Sequence, residues 1–191
     1  MKPNMKLFQT TPLDDYVMIV PVMSAERCAE IVAQAQATDS WNPTGTASNT
    51  TDPALRNCDT LDISSIRADT PPWSDIDREI YYCVETAVRA YRLKHKLFAA
   101  AADTGYEMLR YGVGTRCEYH TDSHKDRQRT LSCSISLNND YEGGEFEFFQ
   151  GERTYRAPAG SAILFPSNFQ YPHRVLPITA GTRYSIITWL V

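Results

Sequence analysis

No CxxC pair occurs in this sequence. Its five cysteines (Cys28, Cys58, Cys83, Cys117 and Cys133) are odd in number and scattered, which argues against a disulfide framework or a zinc knuckle and for reduced, buried thiols. Also missing is any apolar run of about eighteen residues, the length a membrane-spanning helix needs. The opening MKPNMKLFQTTPLDDY lacks the continuous apolar stretch of a secretory signal. Charge of one sign is absent too: 19 Lys and Arg stand interspersed with 23 Asp and Glu, a formal −4, leaving no basic face for nucleic acid and no polybasic anchor. Small or peptidic partners, no membrane partner and a cytoplasmic location are the expectation. What is present is 42% hydrophobic residues in a chain of 191, enough for the core of one domain with a helical annex.

The chain changes character about halfway. After the strand-like VMIVPVM, SAERCAEIVAQAQA puts Ser24 at an N-cap and Cys28, Ile31, Val32 and Ala35 at helical spacing. Residues 38–60 are rich in Thr, Asn, Pro and Gly and read as a long loop, with 41–58 as a lid. A second helix is expected from about Ser74, its stripe formed by Ile76, Ile80, Cys83, Val84 and Ala87. From about Glu107, β-type runs recur between turns: EMLRY, TLSCSISLN, GEFEFF, RTYRA, SAILFP, HRVL and RYSIITWLV. Two helices followed by many short strands point to an α+β fold, a jelly-roll or cupin-like antiparallel barrel backed by helices.

Within CEYHTDSHKD, His120 and Asp122 stand at i and i+2, so on a strand both side chains face the same way. A lone HxD is weak. His173, in YPHRVL, is the remaining histidine of the β half, and two histidines with one carboxylate form the facial triad of non-haem Fe(II) oxygenases. Arg183 follows ten residues later, and a hairpin about PITAG, centred near Ile178, would set it opposite His173. A guanidinium inside an apolar barrel needs an anion, and a bound carboxylate supplies one. Ser185, on the same strand face, could donate a further hydrogen bond to it.

The ordered set YGVGTRCEYHTD, YEGGEFEF and APAGSAILFPSNFQYPHRVLPITAGTRYSIITWL, over roughly residues 106–191, resembles the iron(II) and 2-oxoglutarate dependent dioxygenases of the prolyl 4-hydroxylase-like group, and most of all the PKHD-type hydroxylases. The resemblance implies a double-stranded β-helix and a single dioxygenase domain, 1–191, with 1–100 as helical support and lid and 101–191 as the catalytic core. It implies Fe(II) on His120, Asp122 and His173, with 2-oxoglutarate and O2 as cosubstrates and ascorbate as an accessory reductant. Arg183 would hold the distal carboxylate of 2-oxoglutarate with help from Tyr111. Arg129 and Trp189 would lie on the substrate side. The reaction implied is hydroxylation of a prolyl residue in a peptide or protein, with succinate and CO2 as coproducts, in a bacterial or phage-infected cell.

Departures from that pattern bear on substrate. Cys117 stands where prolyl 4-hydroxylases typically carry a peptide-facing tyrosine, and Arg183 where they favour lysine. Arg129 shares a charge run with Lys125 and Arg127. A hydroxylase of a free amino acid or other small molecule is the alternative, and a non-catalytic cupin-like metal-binding module the alternative outside enzymes. Oligomeric state stays open. His124 and Asp126 are expected on the rim, His95 on a helix surface, and Tyr81, Tyr82 and Tyr91 in packing. Arg56 could reach the site from the long loop but is not counted in it.

Overall fold

The structure, a computed structural model, describes residues 13–43, 56–64 and 70–191. Helix α1 spans Ala25–Gln36, and the Ser24 hydroxyl accepts a hydrogen bond from the Arg27 amide at 3.2 Å, meeting one of the donors a helix start leaves unpaired. Cys28, Ile31 and Ala35 form its buried face. Helix α2, Trp73–Lys94, buries all five residues of the expected stripe and adds Trp73, Val88 and Tyr91. Each such aliphatic side chain removed from water contributes roughly 1.5–3 kcal/mol, which outweighs the weak intrinsic preference of an isolated helix. No described helix is long and apolar enough to cross a membrane.

The strands in chain order are β1 (Met18–Pro21), β2 (Asn42–Pro43), β3 (Asp59–Asp62), β4 (Glu107–Tyr111), β5 (Cys117–His120), β6 (Leu131–Ser136), β7 (Glu142–Gly143), β8 (Phe146–Phe148), β9 (Arg153–Tyr155), β10 (Ser161–Pro166), β11 (His173–Val175), β12 (Ile178–Ala180) and β13 (Arg183–Leu190). Seven form a large sheet in the order β1-β10-β6-β13-β4-β3-β2, four a small sheet in the order β5-β11-β8-β9, and β12 pairs with β7. Every described pairing is antiparallel.

Period-two alternation makes the large sheet two-sided. Met108, Leu131, Cys133, Ile135, Leu164, Tyr184 and Ile186 pack with the helices, while Leu109, Tyr111, Ile163, Phe165 and Ile187 pack with Cys117, Phe146, Phe148 and Val175 of the small sheet. The helices therefore back the large sheet, and its other face meets the small one. Alternation along β13 sends Arg183, Ser185, Ile187 and Trp189 toward the small sheet. Along β6 it sends Ser132, Ser134 and Ser136 the same way.

Three expectations are corrected. Arg183 and His173 do not share a hairpin: β11 pairs with β5 and β8, whereas β13 pairs with β4 and β6. PITAG contains β12, which is drawn to β7 and so cannot serve as a simple turn. The loop expected over 38–60 contributes two strands, since Asn42–Pro43 pairs with Thr60 and Asp59, and β3 pairs with β4. These are contacts between distant segments, which local periodicity does not register. Residues 44–55, the centre of the expected lid, lie outside the described residues. All five cysteines are buried, and Cys28, Cys83, Cys117 and Cys133 are free thiols.

Candidate active site

His120 closes β5 and Asp122 follows it two residues on; His173 opens β11 as the register partner of His120. His120 Nε2 lies 3.4 Å from Asp122 Oδ1, and His173 Nε2 lies 3.6 Å from Asp122 Oδ2. One ligand atom from each residue falls within 4.8 Å of the others, so the three can hold one metal ion. Both imidazoles are aimed by backbone. His120 Nδ1 is 2.8 Å from the Glu118 carbonyl, and His173 Nδ1 is 3.1 Å from the Tyr171 carbonyl. A carbonyl only accepts, so each Nδ1 carries the hydrogen, and in the neutral ring each Nε2 has a lone pair free for a metal beside Asp122. The Ser132 hydroxyl, from β6, donates to Asp122 Oδ2 at 2.6 Å and meets the Ser167 hydroxyl at 2.8 Å.

The charges suit a cation. Burial alone would raise the Asp122 carboxyl, but His173, His120 and the Ser132 hydroxyl outweigh it and hold the group well below the usual carboxylate range. Burial also resists charge on His120, yet its hydrogen bonds to Asp122 and Cys117 push its pKa up to about 10. In His173 burial prevails over the pull of Asp122, and the pKa falls to about 4. A carboxylate thus sits between one imidazole that seeks a positive charge and one that refuses a proton. A divalent metal satisfies both. Two neutral nitrogens and one carboxylate oxygen, leaving further positions open, fit Fe(II), so the residues present suit that ion.

The same cavity receives Tyr111, Arg183, Ser185 and Trp189. Arg183 is 2% exposed and pairs with no acid among the described residues; its guanidinium carbon lies 5.3 Å from the Tyr111 ring centre and 5.2 Å from that of Phe146. The hydroxyls of Ser134 and Ser185, on the strand faces turned to the cavity, are shut off from solvent and have no hydrogen-bond partner among the described residues. Burial pushes the Tyr111 phenol well above its ordinary pKa, so it remains a donor. An uncompensated guanidinium beside unmet hydroxyls matches a carboxylate ligand.

Residues 106–191 match the 2OG-Fe(II) oxygenase superfamily. This part of the chain is similar to that family. A PKHD-type hydroxylase from Synechococcus sp. (strain JA-2-3B'a(2-13)) is 33% identical over 103 residues, covering 52% of this chain and 44% of the relative. Another from Stenotrophomonas maltophilia (strain R551-3) is 29% identical over 134 residues, covering 63% and 57%. The chain thus spans about half the length of the curated relatives it matches. Among solved structures, a Trichoplax adhaerens prolyl hydroxylase in complex with a hypoxia inducible factor oxygen degradation domain peptide superposes with TM-score 0.76 at 16% identity, covering 92% of this chain and 83% of that one. A Pseudomonas putida prolyl-4-hydroxylase gives 0.69 at 21%, covering 92% of each. The shared architecture is the double-stranded β-helix, here two facing sheets.

Of the other residues singled out, Arg129 is half-buried with its guanidinium carbon 3.5 Å from the Trp189 ring centre, and it donates to the Asp122 carbonyl at 3.2 Å. It is therefore not a solvated member of its charge run. His124 and Asp126 are exposed on the rim. His95 is no plain surface residue: it caps α2 and stacks on Tyr16, 4.7 Å between ring centres. Tyr91 packs in the core, but Tyr81 and Tyr82 are exposed on α2, edge to face with each other. Ser132 and Ser134 were not singled out, although the Ser-x-Ser-x-Ser alternation of LSCSIS marks a polar strand face. Arg56, left uncounted in the sequence, lines the cavity.

Proposed function

We propose that the protein is an Fe(II)- and 2-oxoglutarate-dependent hydroxylase, with His120, Asp122 and His173 holding the metal and Arg183, Tyr111 and Ser185 holding the distal carboxylate of 2-oxoglutarate. The observation that carries this reading is one cavity containing both a convergent two-histidine, one-carboxylate set and a buried guanidinium without an acid partner among the described residues. A metal-binding module without turnover has no use for the second feature.

When bound, the iron supplies the oxygen-activating chemistry. The residues of the chain do the rest. Glu118 and Tyr171 carbonyls fix both imidazoles, and Ser132 orients the Asp122 carboxylate. Arg183 neutralises and aligns the cosubstrate, while Phe146, Phe165 and Ile187 exclude water from the cavity. Trp189 and Arg129 border the side from which substrate enters. Hydroxylation of a prolyl residue in a peptide is the substrate reading favoured by the relatives' names; Cys117, in place of a peptide-facing tyrosine, keeps a free amino acid or other small molecule as the second reading. The same proposal includes one functional unit over 1–191, with 1–100 supporting and covering the site, ascorbate as accessory reductant, and a cytoplasmic location in a bacterial or phage-infected cell.

The test is succinate formation from 2-oxoglutarate under Fe(II) and O2, with peptides and free amino acids offered in turn. Turnover that is absent in wild type, or that survives in His173→Ala, removes the proposal.

A further inference from the structure

Arg56 lies just before β3 and forms an isolated bridge with Cys117, the first residue of β5. Its side chain lines the cavity that holds His120, Asp122, His173 and Arg183. Its Nε is shut off from solvent without a hydrogen-bond partner, and no ion pair to it occurs among the described residues. The residue as a whole is half-buried, whereas Arg183 and Tyr111 are buried, and its guanidinium is enclosed, with a hydrogen bond to the Cys58 side chain.

On the function proposed above, the charges of the cavity cancel without Arg56. A divalent ion offsets a dianionic cosubstrate, and Asp122 offsets Arg183. Arg56 is then a guanidinium in that cavity with no ion-pair partner among the described residues, and a buried charge in that position calls for one. A neighbouring recess adds to the excess. Trp189 borders both the cavity and a second recess, which it shares with Arg127, Arg129 and Glu107. Glu107 is the one acid of that recess, and burial pushes its pKa up, which weakens it as a counter-ion.

We propose that Arg56 is a specificity-determining residue that binds a carboxylate carried by the primary substrate, so that the site selects an anionic substrate. The carboxylate is the α-carboxylate of a free amino acid or a side-chain carboxylate within a peptide; one chemistry serves both. The inference rests on the proposed function, since the cosubstrate is what occupies Arg183.

The experiment uses the full chain loaded with Zn(II), with and without 2-oxoglutarate, and reads probe binding by ligand-observed NMR. The probes are the free L-amino acids, N-acetyl tripeptide amides containing Asp or Glu, and the matched carboxamide of each. Carboxylate probes are expected to bind at least about thirtyfold more tightly than their carboxamides, because the amide leaves the guanidinium unpaired. Arg56→Gln should erase that ratio and Arg56→Lys retain part of it, with circular dichroism confirming that each variant folds. The arm that binds, amino acid or peptide, identifies the source of the carboxylate. Equal binding of acid and amide, a ratio that survives Arg56→Gln, no binding by any probe, or a loss of 2-oxoglutarate affinity in Arg56→Gln each overturns the inference. Failure of wild type to bind 2-oxoglutarate removes the underlying function instead, while the acid-to-amide ratio measured without 2-oxoglutarate still decides the role of Arg56.

Discussion

Arg183 and Tyr111 are register partners across the β13–β4 ladder, and both side chains enter the cavity of His120, Asp122 and His173. The proposed clamp therefore has its cation and its phenol donor on adjacent strands of one rigid sheet, and the metal-binding set on the opposing sheet and the loop after it. A ligand bound at both ends bridges the two.

Losing one partner of a buried, charge-assisted pair costs about 2–5 kcal/mol, so Arg183→Ala should weaken 2-oxoglutarate binding by roughly thirtyfold to several thousandfold. Arg183→Lys, a point charge without the fork, should lose less. Metal affinity should hardly change in either. Anaerobic titration with Mn(II) in place of Fe(II) measures both quantities, and wild-type affinity in Arg183→Ala would remove the clamp.

Ser132 is the outer support of the proposed metal site. Removing such a partner usually costs 10- to 100-fold in metal affinity, and Ser132→Ala should weaken Mn(II) binding by about that much. Ser167→Ala serves as the control, because Ser167 touches Ser132 but forms no hydrogen bond to Asp122. Equal losses in the two variants would mean that the serine pair acts through packing.

Metal should also stabilise the fold by mass action. At a hundred times its Kd, Mn(II) adds about 2.7 kcal/mol, a rise in Tm of roughly 5–10 °C for a domain of this size. Asp122→Ala and His173→Ala should show no such rise, and chelation should reverse it in wild type. A full metal-dependent shift in either variant, read by calorimetry, would place the ion elsewhere.

Much of this site was legible because its chemistry is local. His120 and Asp122 share a strand face by their spacing, and the scarcity of histidine left His173 as the third candidate. Arg183 was placed in the right cavity by a wrong route. A ten-residue spacing around PITAG reads as a hairpin, but β12 is captured by β7, so His173 and Arg183 end on opposing sheets. Arg56 went uncounted for the same kind of reason: its position depends on pairing between β3 and β4, 47 residues apart at Leu61 and Met108, and on a bridge to Cys117. The three serines of β6 were visible as alternation, yet their meaning depended on which face β6 turns toward the small sheet.

Glu107 gives a pH dependence. Burial raises its pKa above 4.5, so the folded state holds this proton more tightly than the unfolded one. Its contribution to stability is thus full below 4.5 and is lost as pH rises through the folded value. Relative to wild type, Glu107→Gln should gain stability progressively through that window and then level off. Urea unfolding of both proteins from pH 4 to 8 measures the difference; a constant offset would show that the carboxyl titrates alike in both states.

Gly144 ties the turn after β7 to the clamp. Its φ of +70° lies in the left-handed region, and a Cβ there would fall 2.4 Å from Ile178 Cδ1 and 3.1 Å from Arg183 Cδ. The first contact is with the end of a side chain that can move, but Ile178 is buried, so its movement has to be absorbed by the core. The second presses on the stem of the proposed clamp. Gly144→Ala should therefore cost about 1–3 kcal/mol of stability from backbone strain and overpacking. It should also weaken 2-oxoglutarate binding by displacing the Arg183 guanidinium, while Mn(II) affinity stays near wild type because His120, Asp122 and His173 are not touched. Urea unfolding and the anaerobic Mn(II) titration separate the two effects. A loss of stability with unchanged 2-oxoglutarate affinity would confine Gly144 to the turn and leave Arg183 positioned by β13 alone.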